Sequence, residues 1–209
     1  MITRQMAVGP LQTNCYIAAC EKTSSAVVID PGFDAEGIAR QIDDMGLRVV
    51  AIVNTHGHAD HVMANDRLRA ITQARVMIHR DDAAMLLDAG RAFSSWTGIE
   101  ATVGPADVLL EDDSVIEAGE LRFVTIHTPG HTPGSCCLAC EDTLFSGDTL
   151  FAGSVGRVDL PGGKGSDLRR SLQALMKLPD DTTVLPGHGP ETTIGRERRE
   201  NPFVRAVAQ

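Results

Sequence analysis

The spacing of apolar positions changes several times along this chain, and each change marks a new element. Extended runs are predicted over 2–8 and 14–20 and at Ala26-Val27-Val28-Ile29, which stops at the turn signal Asp30-Pro31-Gly32. Over 35–46 the apolar residues Ile38, Ile42 and Met45 stand close to helical spacing, and Gly46 is placed to end that helix. Val49-Val50-Ala51-Ile52-Val53 is an uninterrupted apolar run of the buried-strand type. A helix over 61–72, a strand at Arg75-Val76-Met77-Ile78-His79 and a short helix over 81–89 follow. Residues 90–106, with Trp96 and three glycines, show no period and predict a long surface loop.

The second half turns to strands at Val108 to Leu110, Glu120 to Ile126, Cys136 to Cys140 and Thr143 to Ser146, separated by polar or Gly/Pro turns. After a Gly-rich stretch at 153–165, residues 167–177 set Leu168, Leu172, Leu175 and Met176 on one helical stripe. Thr183-Val184-Leu185 is a last strand. Alternation of strands and helices predicts a mixed α/β layer architecture.

Seven residues that suit a metal ion then stand out: His56, His58, Asp60 and His61 within one hexapeptide, followed by His131, Asp148 and His188. Imidazole and carboxylate are the ligands borderline ions such as zinc prefer, and seven can hold two ions with positions left for water. His56 and His58 are two apart in a segment leaving a strand, so both can face one ion, while Asp60 and His61 are displaced toward another. Thr128-Pro129-Gly130-His131, Gly147-Asp148 and Pro186-Gly187-His188 place the remaining candidates in tight turns. Because His56, His131, Asp148 and His188 each follow a strand, one rim of the sheets can gather them. Gathering so many polar groups without compensation would cost about 1–3 kcal/mol each. His79 and His127 lie outside the pattern and receive no metal role.

Composition narrows the partners. A chain of 209 residues predicts one domain over 1–209, large enough for a core that depends on neither disulfides nor metal. Net charge −9 and pI near 5.2 argue against nucleic acid. No apolar stretch approaches a membrane span and no secretory leader is evident, so a soluble, cytoplasmic protein is expected. The five cysteines are expected to be free thiols, and those of Cys137-Leu138-Ala139-Cys140 should point to opposite faces of a strand.

The His-x-His-x-Asp-His run and the single ligands after it resemble the metallo-β-lactamase superfamily over nearly the whole chain. The run Gly147-Asp148-Thr149-Leu150-Phe151-Ala152-Gly153, with Gly156-Arg157, resembles the hydroxyacylglutathione hydrolases (glyoxalase II), particularly a short form without their C-terminal helical domain. The resemblance implies an αββα sandwich of two mixed β-sheets flanked by helices. It also implies two divalent metal ions, zinc foremost with iron or manganese open. His56, His58 and His131 would hold the first, Asp60, His61 and His188 the second, and Asp148 would bridge them, which makes Asp60 and Asp148 the catalytic carboxylates.

The activity implied is hydrolysis of a thioester such as S-lactoylglutathione by metal-bound hydroxide, with a thiolate leaving group that needs little acid assistance. Arg157 is a candidate anchor for the carboxylate of a small anionic thioester, or simply a solvated surface arginine. Asp30 is a candidate acceptor for a ligand imidazole's N–H, or simply a turn former before Pro31. Trp96 could close over substrate. Lys164 reads as a loop lysine, and Arg196, Arg198 and Arg199 with Glu197 and Glu200 read as a solvated helix start. Three alternatives stand beside this reading. A mononuclear iron persulfide dioxygenase would use His56, His131 and Asp148 and shares the Gly156-Arg157-x-Asp159 pattern. Lactonase, phosphodiesterase or β-lactamase activity uses the same ligands. A non-catalytic metal-binding scaffold would keep the fold without turnover. A monomer or homodimer is expected.

Overall fold

A computed structural model describes residues 1–98 and 101–207, apart from the side chains of 96, 97 and 207. Its first half runs β1 (Ile2–Val8), β2 (Thr13–Ala19), β3 (Ser25–Ile29), α1 (Ala35–Asp44), β4 (Arg48–Asn54), α2 (Ala59–Val62), α3 (Asn65–Thr72) and β5 (Arg75–His79). A 3-10 turn at Arg80–Asp82 leads into α4 (Ala83–Thr97), and β6 (Val108–Leu110) closes this half. The second half runs β7 (Val115–Ala118), β8 (Leu121–His127), β9 (Cys136–Cys140), β10 (Thr143–Gly147), β11 (Leu150–Phe151) and β12 (Ser154–Val155). It ends with α5 (Gly165–Leu175), β13 (Thr183–Pro186), β14 (Thr192–Thr193), α6 (Ile194–Glu200) and α7 (Pro202–Val207).

Each half supplies one six-stranded mixed sheet. The first is ordered β1-β2-β3-β4-β5-β6, antiparallel up to β3 and parallel from there on. The second is ordered β14-β13-β10-β9-β8-β7, with β10 and β13 its parallel pair. The apolar runs explain the layering. In β3, Val27 and Ile29 face the second sheet and meet Phe123, Leu138 and Phe145. Their neighbours Ala26 and Val28 point the other way, onto Ile38 and Ile42 of α1 and Leu68 of α3. Across the sandwich, Leu144 and Val184 turn outward onto Leu168, Leu172 and Leu175 of α5. Helix, sheet, sheet, helix is the result, with three apolar interfaces that make strands buried on both faces necessary. Cys137 joins the α5 interface and Cys140 the one between the sheets, and all five cysteines are buried and unpaired.

Two predicted elements differ. The single helix over 61–72 is two, α2 and α3, because the Ala64 amide donates to the Pro31 carbonyl at 3.0 Å in place of a helical partner. The loop predicted over 90–106 is helical through Thr97. Gly90, at the start of that predicted loop, is needed inside α4 because the Ala101 carbonyl lies 2.3 Å from where a Cβ would stand. Among the described residues no helix is long and apolar enough to cross a membrane.

This layering places the ends of β4, β8, β10 and β13 at one rim, and the next few residues after each carry His56, His131, Asp148 and His188. The Gly187 amide donates to the Gly147 carbonyl at 2.8 Å, stitching two of these turns together. Leu138, fully buried between the sheets, should lose about 2–5 kcal/mol of stability as Leu138→Ala in urea unfolding. Leu109→Ala, at an exposed position, should change it by under about 0.5 kcal/mol. Comparable losses in the two variants would contradict this layering.

Candidate metal centre

The predicted ligands converge in two adjoining groups. Ligand atoms of His56, His58 and His131 lie within 4.8 Å of one another, as do those of Asp60, His61 and His188. His58 Nδ1 is 2.8 Å from His131 Nε2, and His61 Nε2 is 3.3 Å from His188 Nε2. Asp148 sits between the groups, with Oδ2 3.6 Å from His131 Nε2 and 3.7 Å from His188 Nε2, and Oδ1 3.5 Å from His61 Nε2. Asp60 Oδ2 lies 3.2 Å from His188 Nε2. Such crowding of lone pairs suits cations placed among them.

Two buried atoms test that fit directly. His56 Nε2 and Asp148 Oδ1 have no hydrogen-bond partner, although an unsatisfied buried polar group costs about 1–3 kcal/mol. A divalent ion within reach of each removes the penalty. Gly187 leaves the necessary room, since a Cβ there would stand 2.2 Å from Asp148 Oδ1 and 2.8 Å from the His61 ring.

The hydrogen bonds behind the rings fix which nitrogen faces inward. Asp30 is buried, and its carboxylate accepts from the Thr55 amide at 2.7 Å, the Thr55 hydroxyl at 2.7 Å and His61 Nδ1 at 3.0 Å. With its own proton committed to Asp30, the Thr55 hydroxyl accepts from His56 Nδ1 at 3.1 Å. One carboxylate therefore orients a ring in each group, leaving both Nε2 lone pairs free. His131 Nδ1 donates to the Arg157 carbonyl at 2.7 Å with the same effect.

Charge follows this division. Burial, then the neighbouring rings, hold His56 well below the usual imidazole range, and burial with His131 brings His58 to about 4. These histidines stay neutral, as coordination requires. Burial opposes charge on His61, but Asp148, Asp30 and Asp60 together raise it well above its ordinary range. Burial likewise pushes Asp60 upward and is outweighed by His61 and His188, which hold it below the usual carboxylate range. The second group is thus anionic enough to bind a proton where it could bind a metal.

Several supporting residues carry no sequence signal because their partners are distant. Asp82, fully buried, accepts from the Gly57 amide at 3.0 Å, the Thr132 hydroxyl at 2.6 Å and the Gly134 amide at 2.6 Å. It clamps the turn carrying His56 and His58 to the one carrying His131. The Thr13 hydroxyl donates to Asp60 Oδ2 at 3.0 Å, while Asn14 and the Tyr16 hydroxyl hold the Pro186 carbonyl before His188.

The other predicted residues are placed as follows. Arg157 is exposed at the rim of a cleft of about 600 Å³ over the ligands, whose walls include Leu11, Phe33, Phe93, Phe151 and Val155. Its guanidinium makes a two-pronged contact with Asp159, at 2.7 and 2.6 Å. Lys164 is exposed and pairs with Asp167, and Arg198 donates to the carbonyls of Met176 and Leu178. Glu197, read as solvated, is buried and accepts from Thr192, Gly153 and Asn201, so that part of the charge run holds the C-terminal helices. Trp96 lies in α4, but its side chain is outside the described residues. His79 and His127, given no metal role, stack at 4.0 Å beside Asp81. His127 Nε2 donates to the Pro133 carbonyl at 2.9 Å, and His79 Nδ1 accepts from the Asp81 amide at 3.3 Å.

Residues 8–188 match the model of the metallo-beta-lactamase superfamily, and the chain belongs to that superfamily. It is 40% identical to the probable metallo-hydrolase YqgX of Bacillus subtilis, over 98% of each chain. Its identity to the hydroxyacylglutathione hydrolase GloC of Haemophilus influenzae is 32%, over 95% of this chain and 96% of that protein. Among solved structures, the BLEG-1 B3 metallo-beta-lactamase superposes with a TM-score of 0.91 at 40% identity, covering 97% of this chain and 99% of that one. TTHA1623 in a di-iron-bound form gives 0.87 at 39% identity, covering 96% and 99%. ETHE1 from Myxococcus xanthus gives 0.81 at 31% identity, covering 100% and 91%. Proteins of this superfamily typically bind divalent metals, and the His/Asp clusters here suit that chemistry.

Replacing Asp82 by Asn removes an acceptor at the clamp between the two turns. Chelator competition should show the first metal equivalent weakened by roughly 10–100-fold and the second retained. Equal weakening of both, or of neither, would contradict a positioning role confined to the first group.

Proposed function

We propose that this chain is a dinuclear metal-dependent hydrolase that cleaves thioesters, with S-lactoylglutathione as the reference substrate. The carrying observation is the convergence of seven ligand side chains around buried polar atoms that lack partners. In this reading His56, His58 and His131 would hold one ion, Asp60, His61 and His188 the other, and Asp148 both. The bound ions would supply a hydroxide nucleophile at neutral pH and polarise the substrate carbonyl.

The chain's own residues do the rest. Asp30 and Thr55 hold a proton on Nδ1 of His61 and of His56, so that with the ions bound each Nε2 would turn a lone pair toward the reacting centre. Asp60 and Asp148 offset much of the metal charge. Leu11, Phe33, Phe93 and Phe151 make the cleft wall apolar, which limits competing water around the carbonyl. Among the described residues the cleft brings no carboxyl beyond the two ligand candidates, which suits a thiolate leaving group with a reference pKa near 8.5. Identity to a protein named hydroxyacylglutathione hydrolase supports the thioester over other acyl bonds.

A second reading, a mononuclear iron dioxygenase using His56, His131 and Asp148, draws on the Arg157–Asp159 contact, the Gly156-Arg157-x-Asp159 pattern and the likeness to ETHE1. The gathering of Asp60, His61 and His188 beside that trio favours two ions. Elemental analysis separates the readings: two ions with thioester turnover supports hydrolysis, and one iron with oxygen uptake on a persulfide overturns it.

Asp148→Ala should lower metal content and S-lactoylglutathione hydrolysis together, beyond the roughly 10–100-fold typical of losing an outer partner. Undiminished turnover would contradict the bridging assignment. Arg157→Ala should raise KM for an anionic thioester by up to about tenfold with kcat little changed, whereas Asp159→Asn, which frees the guanidinium, should lower it. Equal effects on a neutral thioester would remove Arg157 from carboxylate binding.

A further inference from the structure

The cleft over the ligands has a second arm. A cavity of about 550 Å³ adjoins the first and shares His58, Ala59, Ala92 and Leu160 with it, so the two meet at the proposed reacting centre. The second arm runs between α4 and the turn at 160–162. Its walls are Met85, Ala89 and Ala92 on one side and Pro133, Leu160 and Pro161 on the other. Gly57 lets α4 pack close against the ligand turn at the floor of this arm, because a Cβ there would stand 2.5 Å from Met85 Cβ.

Charge separates the two arms. Among its described lining residues, the second arm has no cation; His58 is neutral, and the charged groups are the exposed carboxylates Asp81 and Asp88. Arg157 lies in the first arm only. A thiol carrier bearing carboxylates finds a guanidinium only on the lining of the first arm, where it would compete with Asp159 for Arg157; in the second arm Asp88 is already paired with Arg91 and no cation lines the wall. The acyl side of the scissile bond then falls in the second arm, where a hydrocarbon gains from burial and a polar acyl group finds little to bond.

We propose that the acyl group this site selects is a hydrocarbon chain of several carbons, seated between α4 and the 160–162 turn, with the anionic thiol carrier on the Arg157 side. This rests on the thioester hydrolase reading. Water attacks the carbonyl carbon and the carbon–sulfur bond breaks; one proton of the water passes to solvent as the fatty carboxylate forms, and the other is taken up by the departing thiolate, which leaves as the free thiol. The hydroxyacyl group of S-lactoylglutathione is then a poor fit for the second arm, although its carrier suits the first.

The experiment is a chain-length series on one carrier: acetyl, butyryl, hexanoyl and octanoyl glutathione thioesters beside S-lactoylglutathione, with the metal-loaded chain. The expected result is a rise in kcat/KM of roughly two- to fourfold per added methylene to at least hexanoyl, as burial of successive CH₂ groups requires. Hexanoyl should exceed lactoyl by at least about tenfold. A flat or falling series overturns the acyl assignment and leaves the hydrolase reading standing, whereas no turnover of any thioester overturns both.

Met85→Glu, which puts a carboxylate in the arm, should bring the hexanoyl-to-acetyl ratio toward one. Pro161→Glu on the exposed opposite wall tests the same ratio should the first variant fold poorly. Damage to the fold lowers both substrates alike, so an unchanged ratio in a folded variant overturns the placement of the chain in this arm.

Discussion

Five imidazoles and two carboxylates share one rim of this molecule, and their lone pairs face one another across gaps of about 3 Å. Lone pairs at that distance repel unless protons or cations lie between them. Protons serve only in part, because burial and mutual repulsion keep His56 and His58 neutral, and the proton that His61 takes draws its support from three carboxylates. Metal ions resolve the first group without a proton and replace the proton in the second. The sheets, turns and glycines around the rim all serve to hold these groups where only cations can satisfy them.

Support for the rim is buried and polar, which is why it is ordered. Asp30 joins the two groups through Thr55 and His61, and Asp82 joins the ligand turns of the two sheets. Each is a carboxylate whose acceptors are met by three donors, so neither can shift without stranding a buried partner. The apolar layers beneath fix where those carboxylates stand. More exposed parts line the cleft, namely α4, the Arg157–Asp159 contact and the 160–162 turn, and under the proposed function these would discriminate between substrates.

Much of this was legible in the sequence because it rests on local rules. Val49 to Val53 and Cys136 to Cys140 lie in strands buried from both faces, and such strands announce themselves as apolar runs. Ligands that follow strands announce a shared rim. What could not be read depends on contacts between distant segments: α2 and α3 separate because Pro31 takes the Ala64 amide, and α4 tolerates Gly90 because Ala101 packs on it. Asp82 looked like part of a helix start, since its donors lie 25, 50 and 52 residues away. Arg157 was read as a candidate anchor for a substrate carboxylate, and its engagement by Asp159 is visible only once the turn between them is built.

Titration of the metal-free chain with Co(II), followed by its ligand-field absorption against a competing chelator, tests the paired centre most directly. Saturation at two ions per chain, falling to one in His188→Ala with the first group's spectrum kept, is the result expected of two adjoining ligand groups. Saturation at a single ion, or two ions still bound without His188, would contradict it.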